Sequence, residues 1–443
     1  MVNALARQGH EGGGASRQHQ VGLGRAAGPA LAMGVAPGLS AGRRGALRVA
    51  WLAMRQPDGS LFTAAFVALT LSDLAYFMGA GALIGVTPFF VTGPLGSGKA
   101  GVGVAVGAFS VTTLLLRPLA GRWTDRHGRR PLLIAGAFLF AVLVLGHLLV
   151  TDLSWLVVLR LLLGAAEALY FVAGFAALAD LAPVGRAGEA LSFNSLALYF
   201  GVATGPLIGQ VLLGWAGFNL VWVCVAFLAV VAAVLAARVP ETLVRSDLAP
   251  SPSPLIHRAA LVPGLGLFTG VAATSGFLAF AGLHATEVGF QAWSVVLMVY
   301  GTVVVSCRLL FATLPDRLPP MRLAAAGLAA CTLGLGLAAA VPAAWSLLVG
   351  SAVLAVGVAF LTPAVFAVIF TRVPASQRGS AAGTASVFID LGLGGGPILL
   401  GLVAAGSGIP AAFLAAAVLT AVGAALLLLR PAPPSQRPAE RSA

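Results

Sequence analysis

The sequence predicts an all-α integral membrane protein with twelve transmembrane helices in two pseudo-symmetric six-helix halves. Three observations predict this class: 59% of the residues are hydrophobic and only 9% are charged, apolar stretches recur along the whole chain, and one charged stretch occurs twice. Soluble domains carry about a quarter charged residues. So few charges cannot cover a soluble surface of this size, and lipid is therefore the expected solvent.

The apolar stretches have the length that a membrane helix needs, roughly 20 residues. Their Gly and Ala content suits close approach between helix backbones. The twelve predicted spans lie at roughly 61–91, 101–121, 131–151, 154–179, 188–214, 218–238, 260–284, 291–313, 322–342, 346–370, 380–405 and 410–430.

The net charge of +12 does not predict a nucleic-acid partner, because the arginines follow the membrane topology. Of 25 Arg, 22 lie in the termini or in loops after even-numbered spans. This is the positive-inside bias, and it predicts a multi-pass protein of the plasma membrane with both termini in the cytoplasm. Five tryptophans near the opposite helix ends predict an aromatic belt there: Trp155, Trp215, Trp222, Trp293 and Trp345.

Composition also divides the chain into parts. The first segment is rich in Gly, Ala and Arg without helical periodicity, which predicts disorder. A Pro- and Ser-containing stretch separates spans 6 and 7. The predicted organisation is a cytoplasmic extension at 1–58, a six-helix half at 59–238, a linker at 239–259, a second half at 260–431 and a cytoplasmic tail at 432–443.

An internal repeat relates the two halves at an offset of 191 residues. The offset pairs the charged residues Arg117, Asp125 and Arg126 with Arg308, Asp316 and Arg317. It also pairs helix-breaking and small residues: Pro183 with Pro374, Gly188 with Gly379, Gly201 with Gly392, Gly205 with Gly396, and Pro206 with Pro397. Internal repeats are a recurrent architecture of secondary transporters.

The stretch GRWTDRHGRR at 121–130 resembles the loop between spans 2 and 3 of the major facilitator superfamily, whose pattern is G-x-x-x-D-R-x-G-R-R/K. The residues that match are Gly121, Asp125, Arg126, Gly128, Arg129 and Arg130. Arg160 with Gly164 resembles a second family motif. The row Gly201, Gly205, Pro206 and Gly209 resembles a third, which is associated with the drug:proton antiporter branch. The resemblance implies the twelve-helix major facilitator fold and alternating access.

The charged loop is interpreted as a gate. Asp125 is expected to dock at the positive N-terminal end of span 11, at 378–380, and to close the cytoplasmic side. Asp316, with Arg317, is expected to act more weakly at 186–188, because the second copy has lost the glycines. The alternative is that the loop is only a topology signal.

The glycines of span 5 are spaced four residues apart, so Gly201, Gly205 and Gly209 share one helix face. Pro206 removes a backbone donor and is expected to bend the helix. Such a face suits sliding between the two halves. Because span 11 repeats much of the pattern, packing inherited by duplication is the alternative.

Ionisable residues inside spans are the best site candidates, since each costs roughly 2.5–3.5 kcal/mol at a helix centre. Arg160 and Glu167 share a face of span 4, and Arg160 is expected to pair with Asp73 or Glu167 and to tune proton uptake there. Static salt bridging is the alternative. Arg117 is expected to be structural, with Asp180 as its partner.

Several further residues are candidates for the substrate cavity. Asp390 replaces the tyrosine of the first repeat and could bind a cation or hydrogen-bond within its own helix. The polar and aromatic candidates, for which plain packing is the alternative, are Tyr76, Phe77, Tyr170, Asn194 and Tyr199.

The predicted function is proton-coupled efflux of a small amphipathic or cationic compound by a monomer, with substrate, protons and the lipid bilayer as partners. A proton-coupled importer of a sugar or organic acid is the alternative, and a membrane sensor is a more distant one. No cofactor or metal is predicted, and the chain is not expected to be an enzyme. GPLGSGKA at 93–100 resembles a phosphate-binding loop, but Ala100 replaces the required hydroxyl residue.

Overall fold

The computed structural model describes residues 60–183, 186–243, 257–311, 314–373 and 377–429. Within these ranges it describes the backbone but not the side chains at 187, 188, 192, 315, 316 and 378–380. The predicted N-terminal extension, most of the linker and the whole C-terminal tail lie outside the described residues.

The described chain is helical, with short connections. The helices of the first half are α1 (Ala64–Thr92), α2 (Lys99–His127), α3 (Arg129–Leu145), α4 (Leu153–Leu181) and α5 (Ala187–Ala236). Those of the second half are α6 (Arg258–Glu287), α7 (Ser294–Leu310), α8 (Leu314–Arg317), α9 (Pro320–Ala340), α10 (Ala344–Arg372), α11 (Arg378–Ser407) and α12 (Ile409–Leu429).

Local sequence sets several of these boundaries. The Thr63 hydroxyl accepts from the Phe66 amide at 3.2 Å and caps α1, and Asp152 caps α4 in the same way through Trp155. Gly128 and Gly408, with φ of 107° and 87°, separate consecutive helices at tight turns where a residue with a side chain would be strained.

The predicted count of twelve spans is not confirmed by the structure. Ten helices of the described chain are long and apolar enough to cross a membrane. Predicted spans 5 and 6 fall in α5, which leaves helical dihedral angles only at Ala216 and Gly217, and predicted span 8 is the 17-residue helix α7. A continuous α5 of 50 residues would be about 75 Å long, far more than the ~30 Å hydrocarbon core, so the chain turns at Ala216 and Gly217.

Small residues hold each half together by the same pairing of helices. In the first half, Gly201 and Gly205 of α5 lie against the backbone of Leu74 and Met78 in α1. In the second half, Gly392 and Gly396 of α11 lie against Ala272 of α6. The glycine row of α5 therefore packs within its own half. The expectation of a sliding surface between the halves is wrong for this face, and α5 shows no break in helical dihedral angles at Pro206.

The two halves meet where α2 packs on α11 and α5 packs on α7. The backbones of α2 and α11 approach so closely that a Cβ on Gly107 would overlap Ile398, and one on Gly401 would lie 2.9 Å from Gly103 Cα. These contacts lie near the helix ends that carry Lys99 and Glu287, called the lysine end below.

Polar contacts also join the halves at the lysine end. Lys99 Nζ lies 2.7 Å from Glu287 Oε1. The amide group of Gln210 bridges to the Gln291 carbonyl and the Ser294 amide, each at 2.9 Å. Of the five tryptophans assigned to a belt, Trp222 and Trp293 are instead buried in the interior.

Candidate functional site

A buried ionic cluster joins the two halves in the middle of the helix bundle. Arg117 of α2 places Nη2 3.2 Å from Asp390 Oδ1 of α11 and 3.9 Å from Glu167 Oε1 of α4. The guanidinium also lies 4.9 Å from the centre of the Phe171 ring. Asp390 and Glu167 are 2% and 7% exposed, so both carboxylates are shielded from solvent, whereas the Arg117 side chain is 22% exposed.

The cluster is not balanced in charge when every member is ionised. Two carboxylates face one guanidinium, which leaves one negative charge in excess. Glu167 Oε2 and Asp390 Oδ1 are buried and accept no hydrogen bond from the described residues. The contact of Asp390 with Arg117 is close but not aligned as a hydrogen bond. One proton on either carboxylate would bring the cluster to neutrality.

This arrangement corrects two sequence predictions. Arg117 is not paired with Asp180, whose Oδ2 instead accepts from Arg129 Nε at 3.0 Å. Arg160 contacts neither Asp73 nor Glu167 within the described chain. Its Nε donates to the Ala105 carbonyl at 3.0 Å, and its guanidinium lies 5.7 Å from the Phe109 ring. Arg160 therefore ties α4 to α2.

Asp73 lies at the centre of a second buried network, within the first half. Its Oδ1 accepts from the Tyr170 hydroxyl at 2.8 Å, and its Oδ2 accepts from Asn194 Nδ2 at 2.6 Å. Ser72 contacts the same Tyr170 hydroxyl at 2.7 Å and donates to the Ala232 carbonyl at 2.8 Å. Asp73 is 5% exposed, and its described partners are all neutral.

An aromatic pocket opens beside this network, with room for about one water molecule. Tyr76 stacks on Tyr170 with ring centres 4.0 Å apart, behind the pocket wall. Four predicted residues therefore line one pocket, and Tyr76 supports it. The lining residues are Asp73, Phe77, Tyr170, Phe171, Gly174, Phe175, Asn194 and Leu198.

A second contact between the halves involves Tyr199 of α5 and Arg308 of α7. Arg308 Nη2 donates to the Tyr199 hydroxyl at 2.9 Å, and its guanidinium lies 4.3 Å from the centre of the same ring. Arg308 Nε is buried and has no hydrogen-bond partner among the described residues. Tyr199 is therefore a contact of the interface between the halves, apart from the aromatic pocket.

The charged loop at the other end of α2 is anchored within its own half. Glu241, just beyond α5, accepts from the backbone amides of Arg129 and Arg130 at 2.9 and 3.2 Å. A carboxylate at the start of α3 meets the positive end of the helix dipole. Glycine is favoured at 128, because a φ of 107° would strain a residue with a side chain, and a Cβ would also crowd the Glu241 carboxylate. Arg130 Nη2 adds a bond to the Ala237 carbonyl at 2.7 Å.

The predicted dock of Asp125 is not formed by the described residues. The Asp125 side chain is 75% exposed, and its described partner is Arg129, with the two atoms 3.4 Å apart. Arg126 and Arg317 are exposed, and Gly121 has open space where a Cβ would stand. Gly121 therefore makes no close helix contact with the described residues. The side chain of Asp316 lies outside the described residues.

The sequence did not assign Glu241, Arg117 or Arg308 to a functional site. Glu241 is an acidic residue close after span 6, and the first backbone amides of a helix such as α3 need a hydrogen-bond acceptor. Glu241 could therefore have been proposed as that acceptor. Arg117 and Arg308 are equivalent in the repeat, and Tyr199 and Asp390 are equivalent too. That coincidence is the signal that the two pairs meet across the halves.

Comparison with known proteins decides the family. The family model of the Major Facilitator Superfamily matches residues 66–345 and 322–443. The chain belongs to the Major Facilitator Superfamily. An uncharacterised MFS-type transporter of Salmonella typhimurium is 32% identical over 346 residues, which cover 74% of this chain and 87% of that protein. One from Burkholderia mallei is 31% identical over 363 residues, covering 77% and 86%.

Solved transporters of the Major Facilitator Superfamily share the fold. A bacterial homologue of the human lysosomal transporter Spinster, inward-facing and occupied, has a TM-score of 0.69 at 15% identity, covering 82% of this chain and 95% of that one. The human organic anion transporter MFSD10 has a TM-score of 0.65 at 17% identity, covering 82% and 99%. This chain is therefore a multi-pass membrane transporter of the superfamily and not an enzyme.

Proposed function

We propose that this chain is a proton-coupled transporter that exports a small amphipathic compound across the plasma membrane by alternating access, as a monomer with twelve spans and cytoplasmic termini. The observation that carries the proposal is the cluster of Arg117, Asp390 and Glu167. It joins the halves through charges that a single proton balances. Protonation of Asp390 would weaken its contact with Arg117 and ease the separation of α2 from α11, whereas protonation of Glu167 would leave Arg117 and Asp390 paired.

Asp73 is the second proposed proton site. It is buried without a cation among its described partners, so its charge is costly in the membrane. Asn194 presents Nδ2 to Asp73, and its own Oδ1 is buried and unpaired. A half-turn of the amide would present that oxygen to a protonated Asp73. The pair can thus form a hydrogen bond in both protonation states, as a reversible proton site requires.

The proposed orientation makes the lysine end external. The halves contact each other there through Lys99 and Glu287, whereas Asp125 at the opposite end is exposed. This arrangement suits a conformation open toward the cytoplasm, in which a substrate for export would enter. The docking of Asp125 on α11 then belongs to the opposite conformation, with Asp316 as the weaker equivalent.

The export direction rests on the antiporter-like row Gly201, Gly205, Pro206 and Gly209. A cationic substrate loses its support, because Asp390 is already paired with Arg117. One observation favours a second candidate, proton-coupled uptake of a small organic acid. Arg308, at the interface of the halves, has no carboxylate partner among the described residues.

The test is a substrate panel on inverted vesicles that hold a pH gradient, with gradient dissipation as the readout. Export by exchange predicts that a substrate dissipates the gradient in vesicles with the wild-type protein. Glu167→Gln and Asp73→Asn are expected to lose this response while still exchanging labelled substrate. Full coupling in both variants would remove these carboxylates as proton carriers, and dissipation only in right-side-out vesicles would establish uptake.

A further inference from the structure

We propose that Arg308 binds an anionic group of the substrate, so that the transported compound is an amphipathic organic anion. The inference rests on the proposed transport function and adds the substrate class, for either direction of transport. It begins from the bonding of Arg308. One Nη donates to Tyr199, the guanidinium covers the Tyr199 ring, and Nε is buried with no acceptor.

The charge of Arg308 is uncompensated in the described structure. Its described partner, Tyr199, is a neutral phenol, and no described carboxylate lies within ion-pair distance. Ionisable residues inside membrane proteins normally pair with each other or mark substrate pathways. Contact with an aromatic ring offsets only part of the cost of burying a guanidinium. An anion is the group that this position lacks.

The internal repeat provides a second arginine with which the surroundings of Arg308 can be compared. Arg117 is the repeat equivalent of Arg308, and it has Asp390 and Glu167 as partners. Tyr199 stands where the second copy has Asp390, and the equivalent of Glu167 is Val358. Among the described residues, the first arginine therefore has anionic partners and the second has none, at equivalent points of the two interfaces.

The geometry of the free donors fits a carboxylate, sulfonate or phosphate. Guanidinium groups bind such anions through two parallel N–H bonds. Nη2 uses one of its two hydrogens on Tyr199, so its second hydrogen and the parallel N–H of either Nη1 or Nε remain for two oxygens of one anion. The side chain is only partly buried. The helix that carries Tyr199 also carries Asn194 and Leu198, which line the aromatic pocket. Arg308 of α7 lies against this helix, so a cation and apolar side chains meet where α5 and α7 pack, which suits an amphipathic anion.

The experiment measures binding to the purified full chain in detergent at neutral pH. The probes are 2-naphthoate, its neutral amide and the 2-naphthylmethylammonium cation, which share one apolar body and differ in charge. The readout is the dissociation constant from ligand-dependent thermal stabilisation. We expect 2-naphthoate to bind the wild type more tightly than either other probe. Arg308→Gln should weaken naphthoate binding about tenfold or more, and Arg308→Lys should retain part of the affinity.

Two controls keep the result interpretable. Arg322→Gln removes an exposed arginine from the same half and should bind naphthoate like the wild type. If Arg308→Gln does not yield folded protein, Tyr199→Asp replaces it, because that change gives Arg308 a carboxylate of its own and should displace the probe. Equal affinity in the wild type and in the folded Arg308 or Tyr199 variant would overturn the proposal.

Two further outcomes would also overturn it. One is equal binding of the three probes, and the other is failure of 2-naphthoate, 2-naphthalenesulfonate and inorganic phosphate alike to stabilise the wild type. These outcomes are separable from failure of the proposed transport function. That function fails when no substrate drives proton flux, whether or not naphthoate binds to Arg308.

Discussion

Two arginines occupy equivalent positions in the halves of this transporter and have opposite surroundings. Arg117 contacts two buried carboxylates, Asp390 and Glu167, across α2, α11 and α4. Arg308 contacts the ring and hydroxyl of Tyr199 across α7 and α5. The duplication kept the helix pairing and the cation, and the anions diverged. We infer that the proposed proton site and the proposed substrate site lie at positions where the two repeats carry different residues.

The largest expected effect comes from removing the cation at the first position. Arg117→Gln leaves two buried carboxylates facing each other without a counter-charge. Breaking a buried pair in this way costs about 3–5 kcal/mol, so we expect a marked fall in thermal stability measured in detergent. The double variant Arg117→Gln with Asp390→Asn should recover part of the loss. A single variant as stable as the wild type would show that the cluster is not a linked unit.

Two matched substitutions compare the partner of Arg117 with the partner of Arg308 directly. Asp390→Asn and Tyr199→Phe each remove one polar function at repeat-equivalent sites. We expect Asp390→Asn to lower substrate-driven proton flux at least about tenfold, which corresponds to about 1.4 kcal/mol. Tyr199→Phe should change the flux less, because the ring that covers Arg308 remains. Equal losses in reconstituted vesicles would contradict the division of roles.

The sequence predicted the repeat and the buried charged residues of the two arginine positions, but not which side chains contact each other. The repeat offset, the series of long apolar helices and the buried carboxylates Asp73 and Glu167 could be predicted directly, because apolar length and charge leave a clear pattern, whereas the count of twelve spans is not confirmed. The partner of Arg117 could not be predicted from the sequence, because an ion pair between α2 and α11 depends on the relative rotation of helices in different halves. Arg160 shows the same limit. Its spacing from Glu167 placed both on one face, yet its side chain reaches the Ala105 carbonyl.

A smaller effect is expected from overpacking the interface between α2 and α11, the two helices that carry Arg117 and Asp390. A Cβ at Gly107 of α2 would meet the Gly394 carbonyl and the Ile398 side chain. Gly107→Ala should therefore destabilise the protein by about 1 kcal/mol or more, through overpacking. Gly383→Ala is the control, because its Cβ would stand in open space, and removing a helical glycine there should stabilise slightly. Thermal unfolding of the two variants in detergent measures the contrast.

The smallest expected effect concerns the contact at the lysine end. Lys99 and Glu287 are 31% and 41% exposed, so their pair is open to water. Pairs of this kind contribute about 0–1 kcal/mol. Lys99→Gln should leave thermal stability nearly unchanged and slightly increase labelling of a cysteine introduced at Gln291. A large loss of stability would mean that the lysine end, and not the buried cluster, holds the halves together.

The most direct test of the division between the two arginines is the affinity for 2-naphthoate as a function of pH, in the wild type and in Glu167→Gln. The account predicts a pH-dependent dissociation constant in the wild type that becomes nearly independent of pH in the variant. Weaker binding in acid would indicate the proposed exchange, and tighter binding in acid would indicate uptake. An unchanged pH profile in Glu167→Gln would contradict the claim that the cluster takes the proton while Arg308 takes the anion.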